Sequence, residues 1–259
     1  MMIAEFYNNF YDKAERSNAH ALFCERVYGV NLCQHGMADD QQISLMLNEL
    51  ELDGASNILD LGCGPGLISS HIQRKLKCRL VGLDISPIAI QRAVDRFGSQ
   101  NQDLQFFTGD MTTYDFKSEL FDAILLIDTH YFIEDFLSLI PKLLDRVKEK
   151  GKIAIFSDEG RGIEGLDESK TQPHETLIGQ YLIANQFRFK GICLYEENKA
   201  HWIKKKQVLL ELKDEFEREN NQFIYNNRLS ECNDHDRTLD GRYLYIVSKS
   251  EINSSASAR

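Results

Sequence analysis

Short apolar runs alternate with helical segments through the middle of the chain. The apolar runs are "NILDLG" (57–62), "RLVGLDIS" (79–86), "LQFFTGD" (104–110), "FDAILLIDTH" (121–130) and "KIAIFSDE" (152–159). Between most of them, apolar residues recur at helical intervals, as in "GLISSHIQRKL", "PIAIQRAVDRF" and "FIEDFLSLIPKLLDRVKEK". A buried strand that pairs in parallel with the next one must return through such a crossover. The pattern therefore predicts an α/β fold with a doubly wound, mostly parallel sheet.

The segments that flank this alternation predict the domain organisation. Residues 1–50 carry apolar and aromatic residues at helical spacing, which predicts an N-terminal helical cap. The main domain is expected at 51–248, with a late helical insert at about 199–239. Within it, "HETLIGQYLIANQF" predicts a helix, "FKGICLYEEN" a strand and "RYLYIVSK" the final strand. The small and polar residues 249–259 predict a disordered tail.

Composition and charge narrow the class of partner. Hydrophobic residues make up 42% and charged residues 27% of the 259, which is ordinary for a soluble globular protein. The sequence contains no run approaching the ~20 apolar residues that a membrane span needs. The formal net charge of −10 opposes binding to the phosphate backbone of nucleic acids. We therefore expect a small-molecule partner, with no nucleic acid and no membrane.

The N-terminus and the cysteines indicate the compartment. "MMIAEFYNNFYDKAERS" lacks the basic region and apolar run of a secretory signal, which favours a cytoplasmic protein. The six cysteines are far apart and form no CxxC pair, which is typical of free thiols in a reducing compartment. The cysteines and histidines show no recognised metal-ligand spacing, so we expect no metal. The oligomeric state stays open, a homodimer included.

The first apolar run ends in three alternating glycines, Gly62, Gly64 and Gly66. Glycines in a strand–turn–helix unit let the backbone turn tightly and approach a ligand at the helix N-terminus. A dinucleotide fingerprint needs its third glycine at position 67, which is Leu67, and a P-loop needs a Lys–Ser/Thr pair directly after the glycines, where this chain has Leu67 and Ile68. Cys63 fits as a small residue beside the ligand. The spacing therefore argues against a nucleotide-dependent oxidoreductase, which remains the rival enzyme class.

Three carboxylates at the ends of successive strands suggest what the ligand contains. Asp60 precedes the glycine turn and suits a ligand with a cationic end. Asp84, followed by Ile85, ends the second strand, where a carboxylate accepts hydrogen bonds from ribose hydroxyls. Asp110 and Met111 follow the third strand, where a carboxylate and the next amide can bind an adenine. Together these positions predict a ligand with a ribose that carries no 2′-phosphate.

These motifs resemble a known family. "ILDLGCGPG", "VGLDIS", "FFTGDM" and "FDAILLIDTHYF", in this order and spacing, are similar to the successive motifs of class I S-adenosylmethionine-dependent methyltransferases. The resemblance covers about residues 57–157, and "RYLYIVSK" is similar to the last strand of that family. It implies a seven-stranded, mostly parallel sheet with an antiparallel final strand, and S-adenosyl-L-methionine as cofactor. The residues expected to bind the cofactor are Tyr11, Asp60, Gly62, Cys63, Gly64, Gly66, Asp84, Ile85, Asp110, Met111 and Asp128.

The N-terminal region and the residues after the fourth strand suggest the class of methyl acceptor. "FYNNFYDKAERS" and "LCQHGMAD" look like the helical caps of methyltransferases that act on small molecules. After the fourth strand the chain reads Asp128, Thr129, His130, Tyr131, which departs from the N/D-P-P-Y/F motif of methyltransferases of bases and glutamine. We therefore expect methyl transfer to an oxygen or nitrogen of a small molecule, with carbon left open. A protein or RNA methyltransferase and a non-catalytic S-adenosylmethionine-binding protein are the alternatives.

Two histidines are the candidate catalytic residues. A general base is needed where the acceptor atom carries a proton at neutral pH. His130 follows the fourth strand at the carboxyl edge of the sheet, where ligands of such folds bind, and its imidazole titrates near neutral pH. His35, in "CQHGMAD", would approach the acceptor if the cap closes over that edge. Both are predicted as bases, with pocket lining or packing as the alternative role.

Overall fold

The computed structural model describes residues 2–98, 101–159, 171–238 and 241–249. Its centre is a seven-stranded sheet in the order β3-β2-β1-β4-β5-β7-β6. The strands are β1 (Asn57–Leu61), β2 (Arg79–Asp84), β3 (Leu104–Thr108), β4 (Phe121–Ile127), β5 (Val147–Glu159), β6 (Arg188–Cys193) and β7 (Gly241–Ser248). The first five strands pair in parallel, and β7 lies antiparallel to both β5 and β6. The predicted doubly wound sheet with an antiparallel final strand is confirmed.

Ten α-helices surround the sheet in the described part of the chain. They are α1 (Met2–Glu15), α2 (Asn18–Tyr28), α3 (Asp40–Leu50), α4 (Leu67–Leu76), α5 (Pro87–Ala93), α6 (Phe136–Leu144), α7 (Leu177–Ala184), α8 (Tyr195–Glu211), α9 (Lys213–Arg218) and α10 (Gln222–Thr238). Their starts follow the local sequence: the Ser86 side chain accepts from the amide of Ala89, and Pro87 occupies the first turn of α5. None of these helices combines the length and apolar composition needed to cross a membrane.

One helix boundary differs from the sequence expectation. The segment "FIEDFLSLIPKLLDRVKEK" predicts helix through Lys150, but α6 ends at Leu144 and β5 begins at Val147. The amide of Phe121 donates to the carbonyl of Arg146 at 3.0 Å, and Phe121 pairs with Val147, so the start of β4 draws the chain into the sheet. The pairing register then shifts between Phe121 and Ala123. Tertiary pairing at a bulge thus overrides the helical pattern of this segment.

The N-terminal and late helices form one layer over the sheet edge. Phe10 on α1 and Phe23 on α2 belong to a single apolar cluster that also contains Leu209 on α8 and Phe216 on α9. The α1–α2 turn is tied to the end of α9, because Ser17 donates to a carboxylate oxygen of Glu219 at 2.6 Å. We name this layer, which consists of α1, α2 with the loop 29–39 that follows it, and α8–α10, the cap.

The sheet itself supplies two further apolar clusters, one on each face. Alternate strand residues separate between them, with Ile58 in one cluster and Leu59 in the other, as the two-residue period of a strand requires. This rigid core fixes the carboxyl ends of β1 to β4 beneath the cap. The predicted tail lies outside the described residues except for Lys249, whose ammonium donates to the carbonyl of Val147 at 2.7 Å.

Candidate functional site

A cavity of about 500 Å³ lies between the cap and the carboxyl ends of β1 to β4. Its volume is in the range of ligand pockets, and its position is where open α/β sheets bind ligands. Ten of the thirteen residues predicted to bind the cofactor or to act as bases lie on its wall: Tyr11, His35, Gly62, Cys63, Gly64, Asp84, Ile85, Asp110, Met111 and Asp128. Asp60, Gly66 and His130 are not on this wall.

The glycine turn after β1 forms one side of the cavity. Gly62 and Gly64 have φ angles of 77° and 54°, in the left-handed region that favours glycine. The amide of Gly64 donates to Asp84 at 2.9 Å, so the turn is held against the end of β2. A Cβ on Gly64 would lie 3.1 Å from the hydroxyl of Tyr11, on the cap. Because Gly64 has no side chain, a space remains between the glycine turn and Tyr11 of the cap.

Asp84 is positioned by backbone donors. Its carboxylate accepts from the amide of Ser86 at 2.8 Å as well as from Gly64. Burial raises the pKa of Asp84, and the two amide donors counteract that rise. The carboxylate is thus fixed in direction on the wall, as a group that accepts hydrogen bonds from a ligand must be.

Two predicted cofactor residues lie behind the glycine turn. Asp60 is 3% exposed and accepts a hydrogen bond from the hydroxyl of Ser69 at 2.5 Å. Burial raises the pKa of Asp60 to about 6. Gly66 lies against Phe106, whose ring would be 2.6 Å from an added Cβ. In the structure both residues support the turn from within rather than facing the cavity.

The turn after β4 locks the cap to the sheet. Asp128 has a φ of 57° and its side chain is 7% exposed. Its Oδ2 accepts from the amides of Met37 and Ala38 at 2.7 and 3.1 Å, and Arg242 donates to both of its oxygens at 2.8 and 3.2 Å. Burial alone would raise the pKa of Asp128, but the guanidinium charge of Arg242 holds that pKa below its ordinary value. Asp128 is therefore an anionic clamp on the 36–38 loop.

His35 is the histidine that faces the cavity. Its Nε2 lies 3.2 Å from Oε1 of Glu231, on α10. Burial lowers the pKa of His35 to about 4, and the nearby Glu231 carboxylate only partly offsets that effect. At neutral pH the imidazole is thus uncharged, and it can accept a proton or a hydrogen bond.

A buried charge cluster holds the loop that carries His35. Arg228 donates to the carbonyls of Gln34 and His35 at 2.6 and 3.0 Å, and to Glu231 at 3.0 Å. Lys205 reaches the same Glu231 carboxylate at 2.8 Å. Burial would raise the pKa of Glu231, but the charges of Arg228 and Lys205 hold it well below the ordinary value. Two basic side chains of the late helices therefore fix a loop of the cap.

His130 lies on the far side of the β4 turn from the cavity wall. It is 9% exposed, and its Nε2 is 3.1 Å from the hydroxyl of Ser157 on β5. Burial lowers its pKa to about 4. The structure thus places His130 as a packed residue in the turn after β4, against Ser157 and the ring of Phe136, the alternative that the sequence left open.

Comparison with known proteins agrees with this arrangement. Residues 58–151 match the family described as "Methyltransferase domain". Phosphoethanolamine N-methyltransferase 1 of Triticum aestivum is 25% identical over 149 residues, which cover 58% of this chain and 30% of that protein. Tocopherol O-methyltransferase of Arabidopsis thaliana is 24% identical over 190 residues, covering 68% of this chain and 54% of that protein.

Solved structures extend the likeness to the fold of nearly the whole chain. Haemonchus contortus phosphoethanolamine N-methyltransferase 2, in complex with phosphomonomethylethanolamine and S-adenosylhomocysteine, superposes with a TM-score of 0.71 at 16% identity. That match covers 93% of this chain and 60% of the other. The fold of this chain is thus that of the solved methyltransferases, and its central residues match the methyltransferase-domain family model. The matched region covers only about 30% of the length of the first curated relatives.

The sequence analysis named none of the charged residues that tie the sheet to the cap. Arg228, Glu231 and Lys205 lie within the segment predicted as a helical insert, and Arg242 is the second residue of β7, a strand predicted from its apolar and aromatic residues. A signal was present in part, since Arg242 directly precedes a run of buried strand residues. Its partners, Asp128 and Asp158, are 114 and 84 positions away, and only the fold brings them together.

Proposed function

We propose that this protein is an S-adenosyl-L-methionine-dependent methyltransferase that transfers a methyl group to an oxygen or nitrogen of a small molecule held beneath the cap. The observation that carries the proposal is the cavity at the carboxyl ends of β1 to β4, with the glycine turn, Asp84 and Asp110 on one continuous wall. The methyltransferase-domain match and the methyltransferase structures of the same fold support it.

The residues present fit the cofactor. Asp84 offers a fixed carboxylate for the ribose hydroxyls, and Asp110 with Met111 borders the adjacent part of the wall, suited to the adenine. The space left by the Cβ that Gly64 lacks, beside the hydroxyl of Tyr11, suits the amino-acid end. Because the strands are ordered β3-β2-β1-β4, these groups define a direction across the sheet. The reactive methyl group would therefore lie toward β4 and the cap.

When bound, the cofactor supplies the electrophilic methyl carbon, and the protein must align the acceptor and exclude water. The cap covers the cavity, and the Asp128 clamp holds the 36–38 loop at its edge. Of the two candidate bases, we retain His35, because it lies on the cavity wall and His130 does not. Its imidazole is uncharged at neutral pH. It can accept the proton of a hydroxyl acceptor, or orient an acceptor that needs no base.

The domain organisation and location belong to the same proposal. The cap encloses the acceptor together with α3, which completes the predicted N-terminal region 1–50, and the remaining residues form the cofactor-binding part. We propose the cytoplasm as the location, supported by six cysteines that are all free thiols. All the residues that line the cavity belong to one chain, so the proposal requires no second subunit.

The direct test is a calorimetric titration with S-adenosylhomocysteine, with NAD as the control ligand. We expect micromolar binding of S-adenosylhomocysteine alone. Asp84→Ala should weaken that binding by about 10- to 100-fold, the scale of hydrogen bonds lost from a charged group. Asp103→Ala, which removes a carboxylate that is not on the cavity wall, is the matched control. Binding of NAD instead, or unchanged affinity in Asp84→Ala, would contradict the assignment.

A further inference from the structure

The acceptor end of the cavity has an aromatic corner. Tyr7 on α1 and Phe132 in the turn after β4 lie with ring centroids 5.8 Å apart and planes at 89°. The ring of His35 lies 5.1 Å from that of Tyr7, at 76°. All three line the cavity, on the side toward β4. We name Tyr7, His35 and Phe132 the acceptor corner, since the cofactor direction places the methyl group on this side.

The charged side chains that line the cavity are all acidic among the described residues. Four carboxylates line the cavity, from Asp84, Asp110, Asp128 and Glu134, and among the described residues no lysine or arginine does. Asp84 and Asp110 lie at the end assigned to the nucleoside, and Asp128 is neutralised by Arg242. Glu134 follows Phe132 by two positions and adds a carboxylate beside the acceptor corner. His35 adds no positive charge to the corner at neutral pH, because burial lowers its pKa to about 4.

Resting on the proposed function, we propose that the methyl acceptor is an organic amine without an anionic group, held by the ring faces of the acceptor corner and by Glu134. Aromatic faces attract cations, and this attraction strengthens where water is excluded. An acceptor carrying phosphate or carboxylate would instead meet carboxylates, with no lysine or arginine on the cavity wall among the described residues to pair with. The phosphorylated amine named for several relatives is thus the wrong class for this pocket.

The same corner suits the charge movement of the reaction. An amine that arrives protonated first releases that proton to water; the lone pair of the neutral nitrogen then forms the bond to the methyl carbon, and the electron pair of the broken carbon–sulfur bond remains on sulfur. Positive charge therefore passes from sulfur to nitrogen. A tertiary amine keeps it as a quaternary ammonium, whereas a primary or secondary amine afterwards releases a proton to water. The ring faces and Glu134 stabilise the cation that forms at the nitrogen.

The test uses protein saturated with S-adenosylhomocysteine and three calorimetric probes. Choline carries a quaternary ammonium, 3,3-dimethylbutan-1-ol has the same shape without the charge, and phosphocholine adds a phosphate. We expect choline to bind about tenfold more tightly than the neutral alcohol, as a cation–aromatic contact predicts. Phosphocholine should bind no more tightly than choline. Equal binding of choline and the alcohol, tighter binding of phosphocholine, or no binding of choline at millimolar concentration would overturn the proposal.

Variants of Phe132 separate this inference from the proposed function. Phe132 is 53% exposed, so its replacement leaves the core intact. Phe132→Leu should weaken choline binding by about three- to tenfold and leave the affinity for S-adenosylhomocysteine unchanged, and Phe132→Tyr should retain choline binding. If S-adenosylhomocysteine itself does not bind the unaltered protein, the proposed function fails. If S-adenosylhomocysteine binds but the affinity for choline is the same in Phe132→Leu as in the unaltered protein, only the proposed acceptor class is wrong.

Discussion

Removal of Arg242 tests how the cap is locked to the sheet. Its side chain is fully buried and donates to Gln42 at 2.7 Å, to Asp158 at 2.8 Å and to both oxygens of Asp128 at 2.8 and 3.2 Å. Arg242→Met keeps much of the volume but removes the guanidinium that pairs with the carboxylates of Asp128 and Asp158. Breaking a buried ion pair from one side typically costs about 3–5 kcal/mol. That loss is a large fraction of a domain's stability of about 5–15 kcal/mol.

The pH dependence distinguishes a charge effect from lost packing. In the native protein the pKa of Asp128 is below its ordinary value, so its contribution is present above about pH 4 and is lost as pH falls through the native pKa. Without Arg242, burial would raise that pKa, and protonation would remove the uncompensated charge. The difference between native protein and Arg242→Met should therefore be largest at neutral pH and shrink toward pH 4.

Urea unfolding followed by circular dichroism measures both quantities. Arg79→Met is the matched control, because Arg79 makes one half-exposed contact, to Glu119 at 3.0 Å, and should cost at most about 1 kcal/mol. Arg242→Lys, which keeps the charge and loses the planar fork, should fall between the two. If Arg242→Met is no more destabilised than the control, or if its loss does not change with pH, the buried clamp does not act as an ion pair.

Three further outcomes are expected. Gly36→Ala places a methyl group 2.6 Å from Oδ2 of Asp128, so the loop must shift, and unfolding should show a loss of about 1–3 kcal/mol together with weaker choline binding; wild-type values would contradict the tight loop. Asp60→Asn should stabilise the protein by about 1–3 kcal/mol above pH 7, because burial raises the native pKa to about 6, and the gain should vanish below pH 4; a gain that persists in acid would disprove the charge argument. His130→Asn should slow single-turnover methyl transfer less than about threefold, whereas His35→Asn should slow it by 10-fold or more if His35 is the base, and the reverse order would restore His130.

The alternation of apolar runs and helical segments predicted the sheet, and the spacing of the motifs predicted which residues lie together at its carboxyl edge. Each of the first three strands ends in residues that local geometry places at one edge, since parallel strands share the direction of their carboxyl ends. Their spacing therefore predicted that Gly62, Gly64, Asp84 and Asp110 lie together, and the structure places all four on one cavity wall. Asp60, two positions before Gly62, is instead buried and accepts a hydrogen bond from Ser69.

What only the tertiary structure decided lies at the acceptor end. Arg228 acts on residues 193 and 194 positions away, and Arg242 on a carboxylate 114 positions away. No local period encodes such pairs, because their energy depends on burial and exact neighbours rather than on spacing. The difference between His35 and His130 was likewise not visible in the sequence, because both occur in plausible motifs. Contacts with Tyr7 on α1 and Glu231 on α10 hold His35 at the cavity, whereas His130 packs against Ser157.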